Sequence, residues 1–119
     1  MVAGAPVEPR LGPWDLGTWT GRPWSELDLA SWRTDPAYEA HGGESLTDLA
    51  ARVSGLLHDW SGRSGRLAAV THGAVIKAAV VHALAAPVAA VWNLDVSPGS
   101  LTELHATASG WRVTRVGGR

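Results

Sequence analysis

His72 is the residue best placed to do chemistry. It follows the short apolar run Leu67-Ala68-Ala69-Val70, which reads as a buried strand. It immediately precedes a predicted helix over about Ala74–Leu84, stopped by Pro87. A helix start presents unpaired backbone N–H groups and the positive end of the helix dipole, so anions settle there. A histidine there could contact a phosphate, move a proton or act as a nucleophile. The same position also suits a hydrogen-bonded histidine with a purely structural task. Gly73 shares this helix start. Arg22, Arg52, Arg63, Arg66 and Lys77 are further phosphate-binding candidates, arginine by a bidentate fork. Most of them read as ordinary solvated or paired cations, and Arg52 with Asp48 forms an i, i+4 pair.

The other histidines carry less. His58 and His82 fall within predicted helices, His41 precedes Gly42-Gly43, and His105 falls in a strand. None has metal-ligand spacing, so neither a metal nor an organic cofactor is expected. The sequence contains no G-x-x-x-x-G-K-[ST] and no G-x-S-x-G. With no Cys, thiolate sites and disulfides are excluded.

The elements that must position His72 read as an α/β arrangement in one domain, residues 1–119. Residues 1–23 read as irregular, with an extended piece around Val7–Leu11; Pro6, Pro9, Pro13 and Pro23 punctuate them. A helix is predicted after Pro23, with Trp24, Leu27 and Trp32 on one face, ending before Pro36. The clearest helix spans Glu44–Trp60, where Leu46, Leu49, Val53, Leu56, Leu57 and Trp60 recur at helical spacing. Ser45 and Asp48 resemble a weakened capping box at its start. Val88–Val96 is ambiguous. Leu101–Ala106 and Trp111–Val116, around Ser109-Gly110, read as a C-terminal hairpin.

Composition narrows the classes. Ten Lys+Arg against eleven Asp+Glu give a net charge of -1, which argues against a nucleic-acid binder. A hydrophobic share of 45% supports a packed core. The apolar runs are too short to span a bilayer and the start lacks signal-peptide character, so a soluble cytoplasmic protein is expected. Seven Trp with no Phe suggest that tryptophan fills core positions.

Several segments in order resemble the histidine phosphatase superfamily, also called phosphoglycerate mutase-like. Leu11–Arg22 is similar to the family's "L-x-E-x-x-x-G-x-W-E-G-R" segment. Asp35-Pro36 with His41–Ser45 is similar to "dP…pgGES", and Asp48–Val53 to "d-x-x-x-R-v". Val70-Thr71-His72-Gly73 is similar to "V-[ST]-H-G", which carries the second catalytic histidine, and Pro98–Leu101 to "pgsl". The resemblance implies the C-terminal two-thirds of a three-layer fold, with helices on a small mixed sheet ending in the hairpin. It also implies a phosphorylated small molecule as ligand, with Gly73 and Arg22 near the phosphate.

The departures are equally specific. The family acts through a phosphohistidine in an "R-H-G" motif on a central first strand, and the 119 residues contain no such tripeptide. The acid/base Glu of "L-x-E" falls on Pro13, which cannot transfer a proton, and the Glu of "W-E-G" falls on Thr20. Only His72 remains of the catalytic constellation. The expectation is therefore a phosphatase-like chain without phosphatase activity on its own, acting as a binding or interaction module. Two alternatives are a phosphoryl-transfer enzyme with a site rebuilt around His72 as nucleophile, Arg22 or Arg52 as clamp and Glu44 as acid, or other acid–base chemistry there, and a half-enzyme completed by another chain. Exposed sheet edges would then be covered in a homo-oligomer or by a partner.

Overall fold

The computed structural model describes residues 5–119; the irregular start expected for residues 1–23 includes four that lie outside it. Three α-helices and one hairpin carry the fold: α1 (Leu29–Thr34), α2 (Leu46–Ser61), α3 (Gly73–Ala83), β1 (Leu101–Thr107) and β2 (Gly110–Gly118). Short 3-10 turns occupy Pro9–Leu11, Gly17–Trp19, Trp24–Glu26 and Val88–Asn93. No helix among the described residues is long and apolar enough to cross a membrane.

α2 forms where the periodicity placed it. Its capping box is complete: the Asp48 N–H donates to Ser45 Oγ at 3.1 Å and the Ser45 N–H donates to Asp48 Oδ2 at 3.2 Å. The shorter carboxylate thus still reaches back across the first turn. Leu46, Leu49, Val53 and Leu57 point from α2 into the core, against Val75, Ala78 and Val81 of α3 and Val91 beyond it. Leu49 is fully buried.

The region after Pro23 divides differently from expectation. A 3-10 turn at Trp24–Glu26 ends at extended Leu27, and α1 starts afresh, N-capped by Asp28 Oδ1 accepting from the Ser31 N–H at 3.1 Å. Asp28 competes for its own backbone neighbours and so restarts the helix. Pro9–Leu11 is likewise a 3-10 turn, not an extended piece.

Five tryptophans form an aromatic cluster centred on Trp32, and two of them, Trp14 and Trp92, pack against the aliphatic core together with Trp60 and Trp111. Trp14 and Trp92 lie 4.9 Å from Trp32, the latter edge-on, with Trp19 at 5.7 Å and Trp24 at 6.2 Å. Edge-on and offset contacts match the ring quadrupoles. Trp19 is buried, while Trp24 lies on the outside at 60% exposure.

The sheet is smaller than expected. Among the described residues it is the antiparallel pair β1–β2, bulged near Glu103; the α/β class holds, and the expected mixed sheet is corrected to this hairpin. The strand expected at Leu67–Val70 is not formed either. Residues 61–70 are all exposed, and residues 64–71 make no backbone–backbone hydrogen bond among the described residues. The physical reason is the absence of a ladder partner: β1 pairs with β2 and does not reach this segment. The radius of gyration, 14.8 Å, exceeds the ~13.5 Å of a compact chain of this length.

Candidate phosphoryl site

His72 is the N-cap of α3. Its backbone is extended (φ -111°, ψ 156°), and its carbonyl accepts from the Ile76 N–H at 3.1 Å. The side chain makes no capping bond and stands exposed. Gly73 opens the helix, and a side chain there would meet only the Val96 carbonyl, at 3.7 Å. The amides of the first turn therefore converge beside an accessible imidazole, an arrangement suited to an anion. α3 is anchored by Val75, Ala78, Val80 and Val81, all buried, so this end is held by packing.

Thr71 locates the loop from the other side. Its hydroxyl donates to the Leu11 carbonyl at 2.6 Å, bridging sixty positions of sequence. This contact brings Leu11-Gly12-Pro13 alongside the approach to His72. Pro13 supplies no acid or base there. Its carbonyl accepts from Arg52 Nη2 at 2.9 Å.

Arg52 and Glu44 form the main polar tie of the region. Arg52 Nε donates to Glu44 Oε2 at 3.1 Å and Nη2 to Oε1 at 2.8 Å, with both side chains about one-fifth exposed. Nη1 adds a bond to the Arg10 carbonyl at 2.7 Å. Glu44 also accepts from the Asp15 N–H at 3.0 Å, and its carbonyl accepts from Trp14 Nε1 at 3.0 Å. The i, i+4 pairing of Arg52 with Asp48 is thus replaced: Asp48 caps the helix and Arg52 grips the segment Arg10–Asp15. With these donors engaged, Arg52 is a structural clasp and Glu44 is not a free acid. The eight-residue spacing of Glu44 and Arg52 across a helix start was the signal available in sequence.

Arg22, the other expected phosphate contact, lies on the surface next to Glu26. It is half-exposed, pairs with Glu26 at 3.6 Å, and shares no hydrogen bond or ion pair with His72 or Gly73. His41, His58 and His82 are exposed, and His105 lies 3.0 Å from Glu103 on β1. Among the described residues, no three His, Asp or Glu side chains cluster to hold a metal ion.

Known proteins resemble this chain in sequence and in fold. The histidine phosphatase superfamily (branch 1) pattern matches residues 4–118. A glucosyl-3-phosphoglycerate phosphatase of Mycolicibacterium vanbaalenii is 35% identical over 103 residues, covering 72% of this chain and 46% of that protein. One from Mycobacterium tuberculosis is 32% identical over 99 residues, covering 70% and 44%. The solved structure of a mycobacterial glucosyl-3-phosphoglycerate phosphatase with VO3 superposes with a TM-score of 0.76 at 27% identity, covering 94% of this chain and 64% of that one. A second structure, mycobacterial hydrolase 1, gives 0.75 at 28%, covering 92% and 62%. The chain therefore spans less than half the length of the curated relatives it matches. The ordered sequence landmarks, the match along nearly the whole chain and the shared fold agree: this chain belongs to the histidine phosphatase superfamily, branch 1.

Proposed function

We propose that these 119 residues form the His72-bearing part of a histidine phosphatase site. As an isolated polypeptide they recognise the phosphoryl group of a phosphomonoester without hydrolysing it, and they act as a binding and interaction module. The observation that carries this reading is His72, exposed at the N-cap of an eleven-residue helix and beside that helix's free amides. Stabilising a phosphoryl group in transit requires a nucleophile opposite it. The sequence has no R-H-G to supply one, and Pro13 stands where an acid would. The engaged state of Arg52 and Glu44 speaks against a site rebuilt around them.

The test is a titration with inorganic phosphate followed by amide and imidazole NMR. Gly73 and Ala74 amides and the His72 ring should shift together, and His72→Ala should abolish the amide shifts. Phosphate-independent spectra would overturn the reading. A second reading, half of a phosphatase completed by another chain, is favoured by the open groove beside the unpaired residues 64–71.

A further inference from the structure

The charges of this chain divide between two surfaces. Residues 1–60 carry four Lys+Arg against nine Asp+Glu, and residues 61–119 carry six against Asp95 and Glu103. The basic surface gathers at the closed end of the hairpin. A cleft of about 570 Å³ lies there between α2, α3 and the hairpin turn, lined in part by His58, His82 and Trp111. Trp111 also lines the groove beside residues 64–71, together with Arg63, Arg66 and His105. Arg112 is paired in register with His105. Arg63, Arg66 and Arg112 are in no ion pair among the described residues. The anions nearby are already engaged: Asp59 with Arg10, and Glu103 with His105 and Thr114. The acidic surface is built on α1. Its two caps are Asp28 and Asp35, Glu26 precedes it and Glu39 follows it, and all four are exposed. Asp35 and Glu39 are in no ion pair among the described residues, and Arg33, the cation of this stretch, lies over the Trp92 ring at 5.1 Å. Trp24 stacks on Trp32 of α1 yet leaves 60% of its own surface open.

We propose that these two surfaces bind each other between copies of this chain, head to tail. Trp24 of one copy enters the cleft of the next, against Trp111, His58 and His82, while Asp35 and Glu39 meet Arg63, Arg66 and Arg112. Within one chain the surfaces stay apart: none of residues 22–39 lines the cleft or the groove, and no ion pair among the described residues joins them. Each surface therefore keeps unpaired charge that the other complements. Trp24 is the anchor, since an exposed tryptophan already held by stacking loses little freedom on docking. A nucleic acid or an anionic membrane fits the same cations less well, because the acidic half would be repelled. Two different surfaces make a heterologous contact, so association continues past the dimer unless it closes into a ring. The inference rests on the reading of this chain as an interaction module and names the surfaces it uses. His72 lines neither of them, so phosphate recognition and assembly are read separately.

The test is sedimentation of the full chain over a range of concentrations, in about 0.03 M and about 0.5 M salt. The expected result is a mass that grows with concentration in low salt and falls to the monomer in high salt. Two charge-reversal variants then separate the surfaces. Arg63→Glu with Arg66→Glu, and Asp35→Lys with Glu39→Lys, should each be monomeric alone. Mixed, they should associate again, because the first keeps a native acidic surface and the second a native basic one. Native-like amide spectra of both variants show that they fold. Trp24→Ala should weaken association by at least about tenfold. A monomer at every concentration in low salt would overturn the inference. So would growth that neither salt nor the variants change, which places the contact elsewhere, and so would folded variants that stay monomeric when mixed. The phosphate-induced shift at Gly73, read on the same samples, reports on the proposed function independently of their mass.

Discussion

Arg52 and Glu44 meet fork to carboxylate, 2.8 Å apart at the shorter contact, and this pair joins the start of α2 to the segment preceding Gly17. A bidentate, largely buried pair with further backbone acceptors differs from a surface ion pair, because each partner would be left unsatisfied without the other. Arg52→Ala should cost roughly 2–3 kcal/mol of stability, the range for hydrogen bonds to charged groups. Arg52→Lys should recover only a small part, since a point charge cannot bond Glu44 and both carbonyls together. Urea unfolding of the three proteins checks this. Equal midpoints would mean that the clasp contributes nothing.

Gly17 is locked to the Gly42-Gly43 turn. Its φ is +53°, and a Cβ would lie 2.4 Å from both the Gly43 nitrogen and the His41 carbonyl oxygen. The left-handed conformation and the close backbone approach both demand glycine. Gly17→Ala should therefore destabilise by more than about 1 kcal/mol. Gly21→Ala serves as the contrast: its φ is +80° but its Cβ would meet nothing within 4 Å, so only the backbone strain applies. Thermal unfolding should place Gly17→Ala clearly below Gly21→Ala.

Arg10 links Glu8 and Asp59, at 2.9 Å and 2.6 Å. Its hydrogen bonds hold both carboxyls below the usual carboxylate range. Groups whose folded pKa is depressed stabilise above their unfolded pKa, and that contribution is lost as pH falls through the folded value. The stability gap between the native chain and Arg10→Gln should thus be greatest near neutrality and close on acidification below about pH 4. Because all three groups are solvated, the gap should be small and should shrink with added salt. Guanidine would mask this, so urea midpoints across pH are the measurement. A gap that widens in acid would contradict the assignment.

The parts of the fold that were legible in sequence are those governed by local patterning. The Leu46–Leu57 periodicity, the Ser45–Asp48 cap, the stop before Pro36 and the C-terminal hairpin all formed as their residues dictate. The apolar run Leu67–Val70 has the composition of a buried strand, but a strand exists only through its neighbours, and none pairs with it among the described residues. Asp28 splitting a helix, and five tryptophans gathering around Trp32 beside the aliphatic core, depend on competition and three-dimensional packing that spacing does not carry. The helix start at His72-Gly73 was legible to within a residue, because the apolar stretch that follows Gly73 and ends near Pro87 marks it. Arg22 and Arg52 were not separable by type, since an arginine fork suits a phosphate and a carboxylate equally. Only the position of Glu44 shows which one Arg52 serves.

The most direct measurement is hydrolysis of an aryl phosphate at mildly acidic and neutral pH, on protein whose mass in solution is fixed by light scattering. His72→Ala is assayed beside it; the exposed His72 side chain makes no capping bond and no hydrogen bond among the described residues, so the variant should remain folded. The expected result is no turnover by either protein, with phosphate perturbing Gly73 only when His72 is present. Turnover by the native chain that vanishes in His72→Ala would contradict recognition without hydrolysis and place a complete catalytic site within these 119 residues.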